Sequence, residues 1–302
     1  MLTTDSLVET SRHARKSASS LLGKAGLFFG YVVLMILVFL MLFPLVWMFL
    51  SSFKPGDELI SQPLSINFRT FSLNNYTTML AFVPLWTGFQ NTVIVLLCKG
   101  ALTLFFCPLA GFAFAKLHFR GRKWLFTLVL STLMLPPIVL IIPLLLEMGT
   151  FDWVNTYQAL VLPGAIGAFG IFWMRQQIAE VPDELLDAGR IDGCSSFGLF
   201  LRVVVPVIRP ALAALAILTF LDIYNDFVWP VIVTSSTDMQ TLQVMLSALY
   251  TQINNAQPGL AGSSAWGEVL AASSLATLPV LLLFLVLQRQ FVRGILSGSV
   301  KG

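Results

Sequence analysis

Between Lys24 and Lys54 the chain carries no Asp, Glu, Lys or Arg, and comparable charge-free windows recur over 124–146, 153–174 and 269–288. A helix that crosses a bilayer needs about 20 consecutive apolar residues, so each of these four windows is long enough to span one. Two further windows qualify less cleanly. Residues 89–115 are interrupted by Lys99, and residues 210–231 by Asp222, Asn225 and Asp226. The composition agrees: 57% of residues are hydrophobic and 11% charged, against about 45–50% and about 25% in soluble domains. The solvent for this chain is lipid.

Six helices are read, near 26–50, 89–117, 124–146, 157–176, 210–231 and 266–288. Lys and Arg flanking the spans set orientation. Arg12, Arg15, Lys16, Lys24, Lys116, Arg120, Arg122, Lys123, Arg175, Arg190, Arg202, Arg209, Arg289, Arg293 and Lys301 all fall on one side. They are 15 of the 18 basic residues, and the other side keeps only Lys54 and Arg69. Both termini are therefore expected to be cytoplasmic, with an even number of crossings. The first span has too long an apolar run for a signal peptide and no small-residue cleavage site, so an uncleaved anchor is expected. The Ser-rich leader before it reads as lacking order.

Several chemistries are excluded by the residues present. No G-x-x-x-x-G-K-[ST] phosphate loop occurs, since Gly23-Lys24 is followed by Ala and lacks the upstream glycine. The histidines are His13 and His118, which cannot form H-E-x-x-H. Gly262-Ser263-Ser264-Ala265-Trp266 fails G-x-S-x-G at its last position. Cys98, Cys107 and Cys194 have no metal spacing and no disulfide framework, and read as packing residues.

The most organised polar stretch is 178–210. Pro182 suits a helix start, and Asp183 and Glu184 favour its positive end. Leu185, Ala188 and Ile191 then recur at helical spacing, opposed by Asp187 and Arg190. Gly193 breaks the helix, and Ser195 or Ser196 can cap a second one with Phe197, Phe200, Val203 and Val204 as its apolar stripe. Pro206 is expected to stop that helix at the membrane surface. DNA recognition is excluded by sign: Glu180, Asp183, Glu184, Asp187 and Asp192 outnumber Arg190 and Arg202. What remains is either a solvated hairpin on the bilayer or an apolar face that fits a socket on another protein.

These residues resemble the EAA motif of permease subunits in binding-protein-dependent ABC importers of the carbohydrate group. Asp187-Ala188-Gly189 stands at the E-A-A position, Gly193 follows four residues after Gly189, and Pro206 thirteen after Gly193. Two departures are Asp187 for Glu and Gly189 for Ala; they bear on coupling strength rather than on where coupling occurs. Tyr224-Asn225-Asp226-Phe227-Val228-Trp229-Pro230 is similar to the W-N-[DE]-F-x-W-P stretch of that group, with Tyr224 replacing Trp. Asn91-Thr92 resembles its Asn-Ser at the second span, and the ending from Gln288 to Gly302 resembles its C-terminus.

The resemblance implies an all-α polytopic protein of the type I importer fold. It divides into 1–85 (tail, first span, outer segment), 86–290 (transmembrane core, with coupling hairpin 178–206) and 291–302 (C-terminal tail). It implies that Glu184, Asp187, Ala188, Gly189, Asp192, Gly193 and Pro206 serve coupling to two copies of a separate cytoplasmic ATPase. No cofactor is expected on this chain; ATP and Mg would sit on those partners. A second homologous permease, an extracytoplasmic solute-binding protein meeting outer segments 54–86 and 234–264, and a sugar-like solute complete the expected set, in the inner membrane of a prokaryote. No covalent catalysis is expected.

The fifth span adds a candidate translocation path. Asp222, Asn225, Asp226 and Trp229 fall at i, i+3, i+4 and i+7, one stripe of a continuous helix. At about 1.5 Å per residue from Pro210, Asp222 lies about 18 Å in and Asp226 about 24 Å. An acid at that depth costs about 2.5–3.5 kcal/mol and so should face protein or water. The stripe reads either as lining for a polar solute or as contact with a partner chain. Gly164, Ala165, Gly167, Ala168 and Gly170 read as a close-packing face, and Phe169, Phe172 and Trp173 as possible stacking platforms. Lys99 either pairs with an acid or reaches water. The competing function is an ion-gradient-driven transporter or channel half working through Asp222, Asp226 or Glu268.

Overall fold

The computed structural model describes the backbone of residues 4–255 and 264–299, and side chains over 26–81, 83–251 and 266–286. Among these all regular structure is helical. α1 (Thr4–Ser51) is followed by α2 (Gly56–Ser61), α3 (Asn74–Phe82) and α4 (Leu85–Lys116). Next come α5 (Arg122–Thr132), α6 (Pro137–Thr150), α7 (Tyr157–Val161), α8 (Ala168–Ala179) and α9 (Asp183–Ile191). α10 (Ser196–Leu199) runs through a wider turn, Phe200–Val204, into α11 (Val205–Val207). α12 (Arg209–Asn225), α13 (Val228–Val233), α14 (Leu242–Asn255) and α15 (Ser264–Ser299) complete the order. The leader read as lacking order is thus helical backbone from Thr4.

Three stretches are long and apolar enough to cross a membrane unbroken: Gly26–Ser51, Leu85–Lys116 and Trp266–Val286. The expected third, fourth and fifth spans are broken helices, each for a local reason. Between α5 and α6 the chain bends by 99° where Pro136 and Pro137 stand together, and a residue before proline is pushed out of helical conformation. Between α7 and α8, Pro163 is followed by Gly164 in the left-handed region (φ 72°). The fifth span stops at Asn225, with Asp226 extended (φ −66°, ψ 121°). Pro230 explains this, because its ring would collide with the Asp226 carbonyl in a continuous helix; in the first turn of α13 it is tolerated.

Helix α4 is the mast of the fold, packing its C-terminal half on α8 and meeting α12, α14 and α7 as well. Two glycines allow the α4–α8 approach. A Cβ on Gly111 would lie 2.8 Å from the Arg175 N and 3.0 Å from the Met174 carbonyl carbon. One on Gly170 would lie 2.8 Å from Cys107 Sγ. In the Gly26–Ser51 stretch, Leu27 through Val46 is exposed, so lipid or another chain must cover it.

Three apolar cores hold the bundle. One, including Phe112, Met174, Ile178, Leu186, Leu199, Phe200 and Val204, joins α4 and α8 to the 178–206 hairpin. A second, with Met79, Tyr224, Met245 and Ala272, joins α3, α12, α14 and α15. The third, with Val95, Leu160, Ile223, Trp229 and Val233, lies around the helix breaks. Backbone carbonyls freed at those breaks cannot be left to lipid. Thr103 Oγ1 donates to Ala165 O (2.6 Å), Cys107 Sγ to Gly167 O (3.8 Å) and Trp229 Nε1 to Ala159 O (2.8 Å).

Candidate functional site

The 178–206 hairpin is built from local signals. Asp183 and Glu184 occupy the first turn of α9, Arg190 the last. Gly193 then adopts φ 82°. Its N–H donates to Arg190 O (3.0 Å), and the Cys194 N–H reaches Gly189 O (3.0 Å), the paired closure that satisfies the last carbonyls of a helix. Ser195, rather than Ser196, caps the second arm by accepting from the Gly198 N–H (3.2 Å).

Pro206 does not end that arm. The helix continues to Val207 and turns by 83° into α12 at Ile208. Pro206 would clash with the Arg202 carbonyl in regular helix; the wider turn relieves this, with the Val205 N–H bonding to Phe200 O.

The faces of α9 are assigned by burial. Leu186 (1% exposed) and Gly189 point into the bundle, and a Cβ on Gly189 would meet Leu199 Cδ2 at 2.5 Å. Leu185, Ala188 and Ile191, the apolar stripe read from the sequence, point outward together with Glu184, Asp187 and Asp192. Ile191 is 87% exposed. The inward contacts of the hairpin are instead made by Leu186, Leu199, Phe200 and Val204. Asp187 Oδ1 accepts from Arg190 Nη1 at 2.6 Å along the outer surface.

A clamp that sequence reasoning did not find ties this hairpin to α4. Lys116 Nζ donates to Val181 O (2.6 Å), Asp183 Oδ1 (2.8 Å) and Ala179 O (3.4 Å). The bond from Lys116, with its positive charge, holds the Asp183 carboxyl below the usual carboxylate range. Both accepting carbonyls belong to backbone more than 60 residues away, and backbone acceptors leave no mark on side-chain pattern.

The four path candidates do not form one helical stripe. Asp222 and Asn225 lie on α12, Asp226 in the break, and Trp229 on α13. Trp229 is buried and bonded to the α7 carbonyl of Ala159; Asn225 Nδ2 donates to Leu221 O at 2.8 Å. Asp222 nevertheless borders two adjacent cavities, of about 370 and 870 Å³. The larger also touches Asn225, Asp226 and Trp229, and both touch Lys99. Lys99 thus lies within electrostatic reach of both acids of its own chain. Phe169 lines the smaller cavity and stacks on Trp173 (6.3 Å between rings).

At the end of the bundle opposite the hairpin, Asn91 and Thr92 anchor the 238–242 segment. Asn91 Nδ2 donates to Asp238 O and Gln240 O (2.8 Å each), and its Oδ1 accepts from Tyr157 Oη (2.6 Å). Thr92 Oγ1 accepts from the Leu242 N–H (2.9 Å). Part of segment 234–264, expected on the outer side, lies outside the described residues.

A polytopic helical bundle with broken spans, apolar cavities edged by Lys99, Asp222 and Asp226, and an organised polar hairpin defines a membrane transport component. Residues 108–297 match the family of binding-protein-dependent transport system inner membrane components, and the chain belongs to that family. The arabinooligosaccharides transport system permease protein AraQ of Halalkalibacterium halodurans is 37% identical over 269 residues, covering 88% of this chain and 93% of that protein. The lactose transport system permease protein LacG of Rhizobium radiobacter is 36% identical over 271 residues, covering 90% and 95%. Among solved structures, a bacterial ABC transporter involved in import of the acidic polysaccharide alginate superposes with a TM-score of 0.78 at 23% identity, over 87% of this chain and 95% of that one; it shows the shared fold. This chain is the transmembrane component of an ABC importer, and its relatives are transport permeases rather than enzymes.

Proposed function

We propose that this chain forms half of the translocation pathway for a sugar or sugar-like solute and couples it, through hairpin 178–206, to ATP hydrolysis on a separate subunit. The observation that carries the coupling is the two-faced construction of α9. Leu186 and Gly189 lock it to the bundle, while Leu185, Ala188 and Ile191 present an outward apolar face. Exposed apolar side chains on a rigid polar hairpin fit a protein socket. The Gly193 turn and the Lys116 clamp make hairpin and α4 move together.

Six crossings with cytoplasmic termini account for the helices. The unbroken helices supply the first, second and sixth, and the pairs α5–α6, α7–α8 and α12–α13 supply the others. The basic residues of the hairpin side agree with this orientation. A homologous permease for the other half, two ATPase copies binding ATP and Mg, and an extracytoplasmic solute-binding protein complete the assembly in a prokaryotic inner membrane. The similarity to AraQ and LacG supports a carbohydrate solute. Coexpression with the ATPase encoded in the same organism tests the proposal. Retention of the ATPase by the intact chain, and its loss in Leu185→Asp/Ile191→Asp, is expected; uptake driven by this chain alone through an ion gradient would contradict it.

A further inference from the structure

Lys99 is nine-tenths buried, with 9% of its surface exposed, and its ammonium makes no hydrogen bond or ion pair with the described residues. It borders both cavities, which also share Gly164, Leu218 and Asp222. Gly164 lies beside the ammonium: a Cβ there would stand 3.8 Å from Nζ, in van der Waals contact. A buried cation without a hydrogen-bond partner inside a membrane protein has to face water, a counter-charge or a ligand. The counter-charges lining the same space are Asp222 and Asp226, so the charged groups of the two cavities sum to a formal −1.

The chemistry of this lining is specific. An ammonium offers three donors, and ionised carboxylates offer only acceptors. Leu215, Leu218, Ile138 and Phe169 supply apolar walls. Hydroxyl groups both donate and accept, and a sugar ring carries an apolar C–H face beside its hydroxyl rim. Such a ring satisfies Lys99 and the acids at once, while a sugar carboxylate would meet net negative charge.

Resting on the permease reading above, we propose that the space around Lys99, Asp222 and Asp226 is a transport subsite for neutral hydroxylated rings, and that its net negative charge excludes acidic sugars. The test uses the purified permease–ATPase assembly in nanodiscs without its solute-binding protein, with saturation-transfer NMR on lactose, arabinotriose and digalacturonate. A neutral sugar should bind and digalacturonate should not. Lys99→Met and Asp222→Asn should each weaken neutral binding about tenfold, the loss of one charge-assisted hydrogen bond, and Lys99→Arg should restore part of it. Asp222→Asn/Asp226→Asn, which turns the formal charge to +1, should admit digalacturonate. Equal binding of digalacturonate to the unaltered assembly, neutral binding unchanged in both single variants, or no binding of any of these sugars would overturn the subsite. Uptake by the unaltered assembly with its binding protein is measured alongside: its absence counts against the permease reading, whereas intact uptake with silent variants counts against the subsite alone.

Discussion

Lys116 Nζ lies 2.8 Å from Asp183 Oδ1 and 2.6 Å from Val181 O, so the last residue of α4 holds the first residues of the hairpin. The Lys116 side chain is 8% exposed and that of Asp183 76%. The backbone bond is therefore the protected one, and the ion pair faces solvent.

Lys116→Met should loosen the hairpin. Amide exchange over 179–193 is expected to accelerate about tenfold, the loss of one partly buried charge-assisted bond. Asp183→Asn should do less, because Val181 O keeps its donor. The pH dependence has a defined sign. Asp183 titrates below its ordinary 3.8, so the pair contributes fully above that value and is lost only as pH falls through the lowered one. Exchange over 179–193 should therefore not respond to this pair between about pH 5 and 8.

Gly111→Ala should damage the bundle. The new Cβ would sit 2.8 Å from backbone of α8, which cannot rotate away as a side chain can. Overpacking of this kind costs about 1–3 kcal/mol, read as a lower melting temperature of the detergent-solubilised assembly. Gly189→Ala should cost less, since its obstacle is the far end of the Leu199 side chain.

Asn91→Ala should destabilise the end opposite the hairpin by about 2–3 kcal/mol, because its two part-buried bonds to the Asp238 and Gln240 carbonyls and the one from Tyr157 Oη are lost at about 1 kcal/mol each. Tyr157→Phe, which removes the single bond to Asn91 Oδ1, should cost about 1 kcal/mol. Thermal unfolding of the two variants should rank in that order.

Gly193→Pro should leave the assembly intact but uncouple ATP hydrolysis from uptake. Proline removes the N–H donated to Arg190 O and forbids φ 82°. Gly193→Ala, strained by about 1 kcal/mol, should retain partial coupling. Transport and ATPase rates measured on the same vesicles decide it.

The hairpin was legible in the sequence because its determinants are local. A proline, two early acids, a left-handed glycine and a capping serine act within a turn or two of themselves. Which face of α9 turns inward was not legible: Leu185, Ala188 and Ile191 show an apolar stripe, and only packing against Leu199 and Val203 makes Leu186 and Gly189 the buried side. The fifth span misled for a related reason. Asp222, Asn225, Asp226 and Trp229 fit one helical face numerically, but Pro230 acts four residues upstream and breaks the register at Asp226. Lys116 reads from the sequence only as one of the basic residues that set orientation, since the carbonyls it binds lie more than 60 residues along the chain.

The central claim is that the outward face of α9 seats an ATPase subunit, and photo-crosslinking from position 191 in native membranes tests it most directly. A photoreactive residue replacing Ile191, more exposed than Leu185 on that face, should capture the cytoplasmic ATPase, with a yield that changes when ATP is supplied. Capture of lipid alone, or of an extracytoplasmic protein, would contradict the account.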